Sequence, residues 1–121
     1  MKLVRARNAA RGTVLGTRVG LADRWWLRLR GLLGRPPLVP GDGLLIQPCR
    51  AVHMTGMAYA IDVAFLARDG RVVAVYPGLA PGGRTRWHRD AHSAIELPAG
   101  TLSETGTREG DLILCSAEEA A

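Results

Sequence analysis

Cys49, His53 and Met57 stand four residues apart in the stretch QPCRAVHMTGMAYAIDVAFL, residues 47–66. A thiolate, an imidazole and a thioether at one point are the side chains of a copper centre. Such a centre needs a second imidazole, and the remaining histidines, His88 and His92, lie in a loop well downstream. Cys49, between Pro48 and Arg50, suits a strand end equally well. His88 and His92 form a second pair at a spacing that would present two imidazoles to zinc on a helix. Their context, GGRTRWHRDAHS, has two glycines upstream, no helical apolar face and no Glu between the histidines to act as a base. The expectation is no metal and no cofactor.

Asp62 carries the next chemical signal. It follows Ile61 and precedes Val63 on a strand, sharing a face with Ala64 and Leu66. A carboxylate on an apolar face must be hydrogen-bonded or ion-paired, since burying it bare costs several kcal/mol. Arg28, Arg30, Arg50 or the backbone N–H groups of the 55–57 turn are its expected partners. His53 and Asp62 together would make an acid–base pair, although Thr55, Ser93 and Cys49 lack the context of a nucleophile.

The elements that must position these residues are mostly strands. Residues 2–7 alternate weakly, a turn follows at 8–12, and TVLGTRVGLA reads as a second strand with Thr13, Leu15, Thr17 and Val19 on one face. In ADRWWLRLRGLLG, Asp23 is a plausible N-cap and Trp26, Leu29, Leu32 and Leu33 share a helical face, predicting a helix over about 22–33. RPPLVPGDG forbids its continuation. GLLIQPC is a short apolar strand. AIDVAFLARDGRVVAVYP holds two runs joined by Asp69 and Gly70, a strong hairpin signal. SAIELPAG is a further strand, and GTREGDLILCS places a Gly-Asp turn, with Asp111 accepting N–H bonds, before the last one. The expectation is one domain over 1–121 with a frayed tail at about 117–121. Its fold class is α+β and β-rich, a compact barrel-like antiparallel sheet of six or seven strands with one main helix packed on it.

Composition excludes several classes. The 121 residues are 47% apolar, and no uninterrupted apolar run reaches the 18 or so residues of a membrane span. The opening MKLVRARNAARG meets arginines before any stretch resembling a secretory signal, which points to the cytoplasm. The net charge of +5 comes from arginine, with Lys2 the only lysine, spread along the chain and with few aromatics between. A nucleic-acid surface clusters its charge and interleaves stacking aromatics, so nucleic acid is not the expected partner. Cys49 and Cys115 are too few for a disulfide scaffold and read as free thiols.

Four segments in fixed order carry a resemblance: RLRGLLGR at 28–35, GDGLLIQPCRAVHMTGMAYAIDVAFLARDGRVVAVYP at 41–77, AIELPAG at 94–100 and Gly110-Asp111. Together they resemble the family known as domain of unknown function 192. The resemblance marks Arg30, Gly31, Leu32, Met57, Asp62, Phe65, Gly70, Glu96, Gly100, Gly110 and Asp111 as family positions. Gly56 stands where other branches carry Trp, and Ala58-Tyr59-Ala60 replaces a frequent Pro. The resemblance implies a compact barrel-like β domain crossed by a helix, and no activity, substrate or cofactor.

Function is read in three ways. The first is a non-enzymatic accessory module that binds a small polar or anionic ligand, or a protein, with Arg30, Arg50, His53 and Met57 of the 52–57 turn region and Asp62. The second is a hydrolase or lyase with His53 as general base, Asp62 as its orienter and Arg30 or Arg50 as anion holder. The third is an envelope- or secretion-associated module making protein contacts through exposed Trp25, Trp26 or Trp87. Oligomeric state stays open.

Overall fold

A computed structural model of the chain describes residues 1–24 and 31–117. Seven strands form one curled sheet: β1 (Leu3–Asn8), β2 (Thr13–Ala22), β3 (Asp42–Ile46), β4 (Ile61–Leu66), β5 (Val72–Leu79), β6 (Ser93–Pro98) and β7 (Ile113–Ala117). Their order is β5-β4-β6-β3-β2-β1-β7. The sheet is antiparallel except at β2 and β3, which run parallel. That exception to the expected antiparallel sheet has a physical cause, because the long connection over 23–41 can cross from one end of the sheet to the other, as a tight turn cannot.

The fold class is the one expected, β-rich α+β with a half-barrel sheet. The predicted helix over 22–33 begins inside β2, since Ala22 is a strand residue, and its centre lies outside the described residues, as do Trp25, Trp26, Arg28, Leu29, Arg30 and most of the tail. The described helix is α1 (Thr101–Thr105), a single turn bracketed by Gly100 and Gly106 in left-handed conformation. Among the described residues no helix is long and apolar enough to cross a membrane.

The two edge strands meet at one corner. Val72 N donates to Asp111 O (2.8 Å), Gly110 N to Val72 O (2.9 Å) and Ile113 N to Gly70 O (2.9 Å). Gly70 is required there twice over: its φ is +95°, and a Cβ would stand 2.4 Å from the Ile113 carbonyl. Asp111 locks the same corner by accepting from Asn8 Nδ2 (3.0 Å), Arg11 Nε (3.1 Å) and Arg108 N (3.2 Å). The Arg11 and Asn8 donors hold its carboxyl down at about 2, and the turn reading of Gly110 and Asp111 is what the corner shows.

Both faces of the sheet are covered. Leu15, Val19, Leu45, Ala64, Ile95 and Leu97 fill one side together with Leu102 of α1. Leu44, Ile46, Val63, Phe65 and Ala94 line the other side under Leu32, Val52 and Met54. Every residue of β4 is therefore buried, which is why that run is continuously apolar around Asp62.

Candidate functional site

The segment after β3 leaves through the cis Gln47–Pro48 bond and runs back across the second face. It is tied along its length to the 80–92 loop. Cys49 N donates to His92 O (3.0 Å), His88 N to Arg50 O (2.8 Å), Thr85 N to Val52 O (2.9 Å) and Met54 N to Gly83 O (2.8 Å). This ragged ladder places His53 opposite Arg84. It also turns Val52 and Met54 down onto the core while His53 and Thr55 face outward.

Between this loop pair and the sheet lies a cavity of about 350 Å³. Its walls are apolar at Leu32, Ile46, Val52 and Met54, its mouth carries Arg50 and His53, and Glu96 lines it from β6. That volume is at the small end of ligand pockets, about 300–1,000 Å³. Arg50 Nε donates to Ala91 O (3.1 Å), fixing the base of its guanidinium. Trp87, 66% exposed, stands at the rim between the exposed Arg86 and the buried His88.

Glu96 is the residue that sequence reasoning passed over except as a family position. It is 5% exposed and sits on β6 between apolar Ile95 and Leu97, opposite Leu44 and Val63 in the neighbouring strands. Among the described residues no side chain forms a hydrogen bond or ion pair with its carboxyl group. Burial alone lifts that carboxyl to about 7. The signal was present in SAIELPAG: strand alternation puts Glu96 on the face of Ala94, buried on both sides, where a carboxyl is as conspicuous as Asp62.

Asp62 is placed elsewhere. It is fully buried, and its carboxylate accepts Gly78 N (2.8 Å) on Oδ1 and both Gly100 N (3.1 Å) and Leu102 N (2.9 Å) on Oδ2. Those donors belong to the end of β5 and the start of α1, on the side that Leu102 covers, whereas His53 is exposed on the opposite side of the sheet. The structure thus does not bring His53 and Asp62 together, because residues 61 and 62 of one strand face opposite ways. Among the described residues the partners of Asp62 are three distant backbone N–H groups, not Arg50 or the 55–57 turn; the expected partners Arg28 and Arg30 lie outside the described residues.

Cys49, His53, Met57 and Arg50 do share the walls of the one cavity. The Cys49 thiol donates to Ala51 O (3.2 Å), and among the described residues no group of three or more His, Cys, Asp and Glu side chains could hold a metal ion. Cys49 and Cys115 are not joined in a disulfide.

His88, read from spacing as a possible zinc ligand, points into the core. Its Nε2 meets the Tyr76 hydroxyl at 2.7 Å, and its ring lies 4.6 Å from that of Phe65. Burial, aided by Arg86, lowers its pKa from 6.5. A neutral imidazole therefore pins the 80–92 loop, and its contribution to stability is whole above 6.5 and drains as pH falls through the lowered folded value. Acidification is expected to loosen this loop in the native protein and not in His88→Gln. Amide hydrogen exchange of residues 82–92 against pH checks this; equal protection profiles in the two proteins would refute it.

Known proteins bear on the fold. A family model for domain of unknown function 192, described as "Uncharacterized ACR", matches residues 6–115. A "putative transcription regulator" from Sinorhizobium meliloti 1021 superposes with a TM-score of 0.77, covering 94% of this chain and 92% of its own at 24% identity. A protein of unknown function from Novosphingobium aromaticivorans DSM 12444 gives a TM-score of 0.78, covering 93% and 83% at 20% identity. Likeness at that level of identity is a likeness of fold. No curated protein matches the sequence.

Proposed function

The chain belongs to the domain of unknown function 192 family, and from that premise we propose that it is a cytoplasmic, non-enzymatic binding module whose ligand sits in the cavity under the 49–57 segment. The observation that carries this reading is the wall composition: a mainly apolar hollow with Arg50 and His53 at its mouth and one buried carboxyl, Glu96, inside it. Arg50, His53 and Met57 supply the binding surface; Asp62 serves as a strut beneath the other face. The enzyme reading loses its support with the His53–Asp62 pair.

The probe is 1-anilinonaphthalene-8-sulfonate, an aromatic body with one anionic group that suits apolar walls and a basic mouth. Its fluorescence is expected to rise saturably with the native protein. Met57→Trp, which fills the cavity from its half-buried edge, is expected to weaken binding by at least about tenfold while the far-UV circular dichroism stays native. Undiminished dye binding in that variant would place the site elsewhere. Exposed Trp87 favours a second reading, a protein contact at the rim. Met57→Trp would leave such a contact intact.

A further inference from the structure

The cavity holds opposite chemistries at its two ends, and this bears on what it takes. Inside is a carboxyl that the described residues leave without a donor, although it is nearly inaccessible to water. The described groups around it do not supply one. Tyr59 feels the charge of Glu96 but gives its hydroxyl proton to Pro36 O (3.3 Å). Arg35 also acts on Tyr59, yet no ion pair of the described residues joins it to Glu96 and its own Nε is buried without a partner. Leu44 and Val63, paired with Glu96 across the sheet, are apolar. From the loop side the charged or titratable neighbours are Cys49, Arg50 and His53, with the thiol committed to Ala51 O and the other two exposed at the mouth.

We infer that the cavity takes a small zwitterionic molecule, with a cationic nitrogen seated on Glu96, an apolar stem along Ile46 and Met54, and an anionic end at Arg50 and His53. A buried carboxylate without a partner is unfavourable, and a cation brought by the ligand supplies the missing half of the pair. A simple cation would have to pass a mouth bearing Arg50, whereas a zwitterion presents its anionic end to that guanidinium group. The inference rests on the binding reading above and adds the ligand's charge pattern and orientation.

The test uses 6-aminohexanoate, hexylamine and hexanoate as probes, titrated by calorimetry into the native protein, Glu96→Gln, Arg50→Ala and His53→Gln. The aminoacid is expected to bind tightest and to tighten by at least about tenfold between about pH 5.5 and about pH 8, as Glu96 ionises. Glu96→Gln should remove that gain and weaken both amines by a similar factor. Arg50→Ala should weaken 6-aminohexanoate more than hexylamine, and His53→Gln should keep the tightening with pH, since its source is Glu96. Preference for hexanoate, or amine binding indifferent to Glu96→Gln, would overturn the assignment. Dye binding separates the two levels. If the sulfonated dye binds and none of the three probes does, the zwitterion inference falls and the cavity remains a site; if nothing binds, both fall.

Discussion

Asp62→Ala is expected to lower stability by about 3–5 kcal/mol, which in a chain of this size depresses the melting temperature by roughly 10–20 °C. The carboxylate is fully buried and holds Gly78, Gly100 and Leu102 by their N–H groups. Its removal leaves three backbone donors facing a small hole, and each buried donor left unsatisfied costs about 1–3 kcal/mol. The donors lie 16, 38 and 40 residues from Asp62, so a single side chain joins β4 to the end of β5 and to the first turn of α1. Asp62→Asn keeps the shape but must turn an amide N–H toward at least one donor, and is expected to cost about 2 kcal/mol. Thermal unfolding followed by circular dichroism measures both. Dye affinity of the folded variant should stay native, since the carboxylate lies on the face away from the cavity. A variant with native stability and lost dye binding would return Asp62 to the site.

What could be read from the sequence divides along a physical line. Features encoded by neighbouring residues were legible. Asp69 and Gly70 announced the β4–β5 hairpin because a left-handed residue at a tight turn is a local demand, and the apolar run of β4 announced burial. Asp62 was legible as a carboxylate that must have partners. Its partners were not, because a backbone N–H has no sequence signature and these lie 16 to 40 residues away. Helix α1 was missed since five residues between two glycines are too short to develop a 3.6-residue period. His88 was read by spacing from His92, whereas its environment is set by Tyr76 and Phe65 on other strands. The opening set of Cys49, His53 and Met57 does converge on one cavity. The cause is the ladder between the 49–57 segment and the 80–92 loop, in which irregular backbone pairs with irregular backbone and no pattern marks it in advance.

Glu96→Gln is expected to stabilise the protein by up to about 3 kcal/mol near pH 8, with a rise in melting temperature of roughly 10 °C. The buried carboxyl is lifted from 4.5 to about 7 by desolvation. A group raised in the folded state contributes stability that is complete below its unfolded value and is lost as pH climbs through the folded one, so this contribution is intact below about 4.5 and spent above about 7. Gln keeps the size and never ionises, so its advantage should be absent in mild acid and grow through neutrality. His88 runs the other way, losing stability in acid, and it cancels when the two proteins are compared at each pH. Urea unfolding from about pH 4.5 to about pH 8 measures the difference directly. A carboxylate already paired within its own chain would reverse the sign, making the variant less stable at pH 8, and would leave the cavity without the unpaired charge that defines its ligand. The expected sign means that the native chain carries a carboxyl its fold would be more stable without, and an unliganded binding site is where such a cost is found.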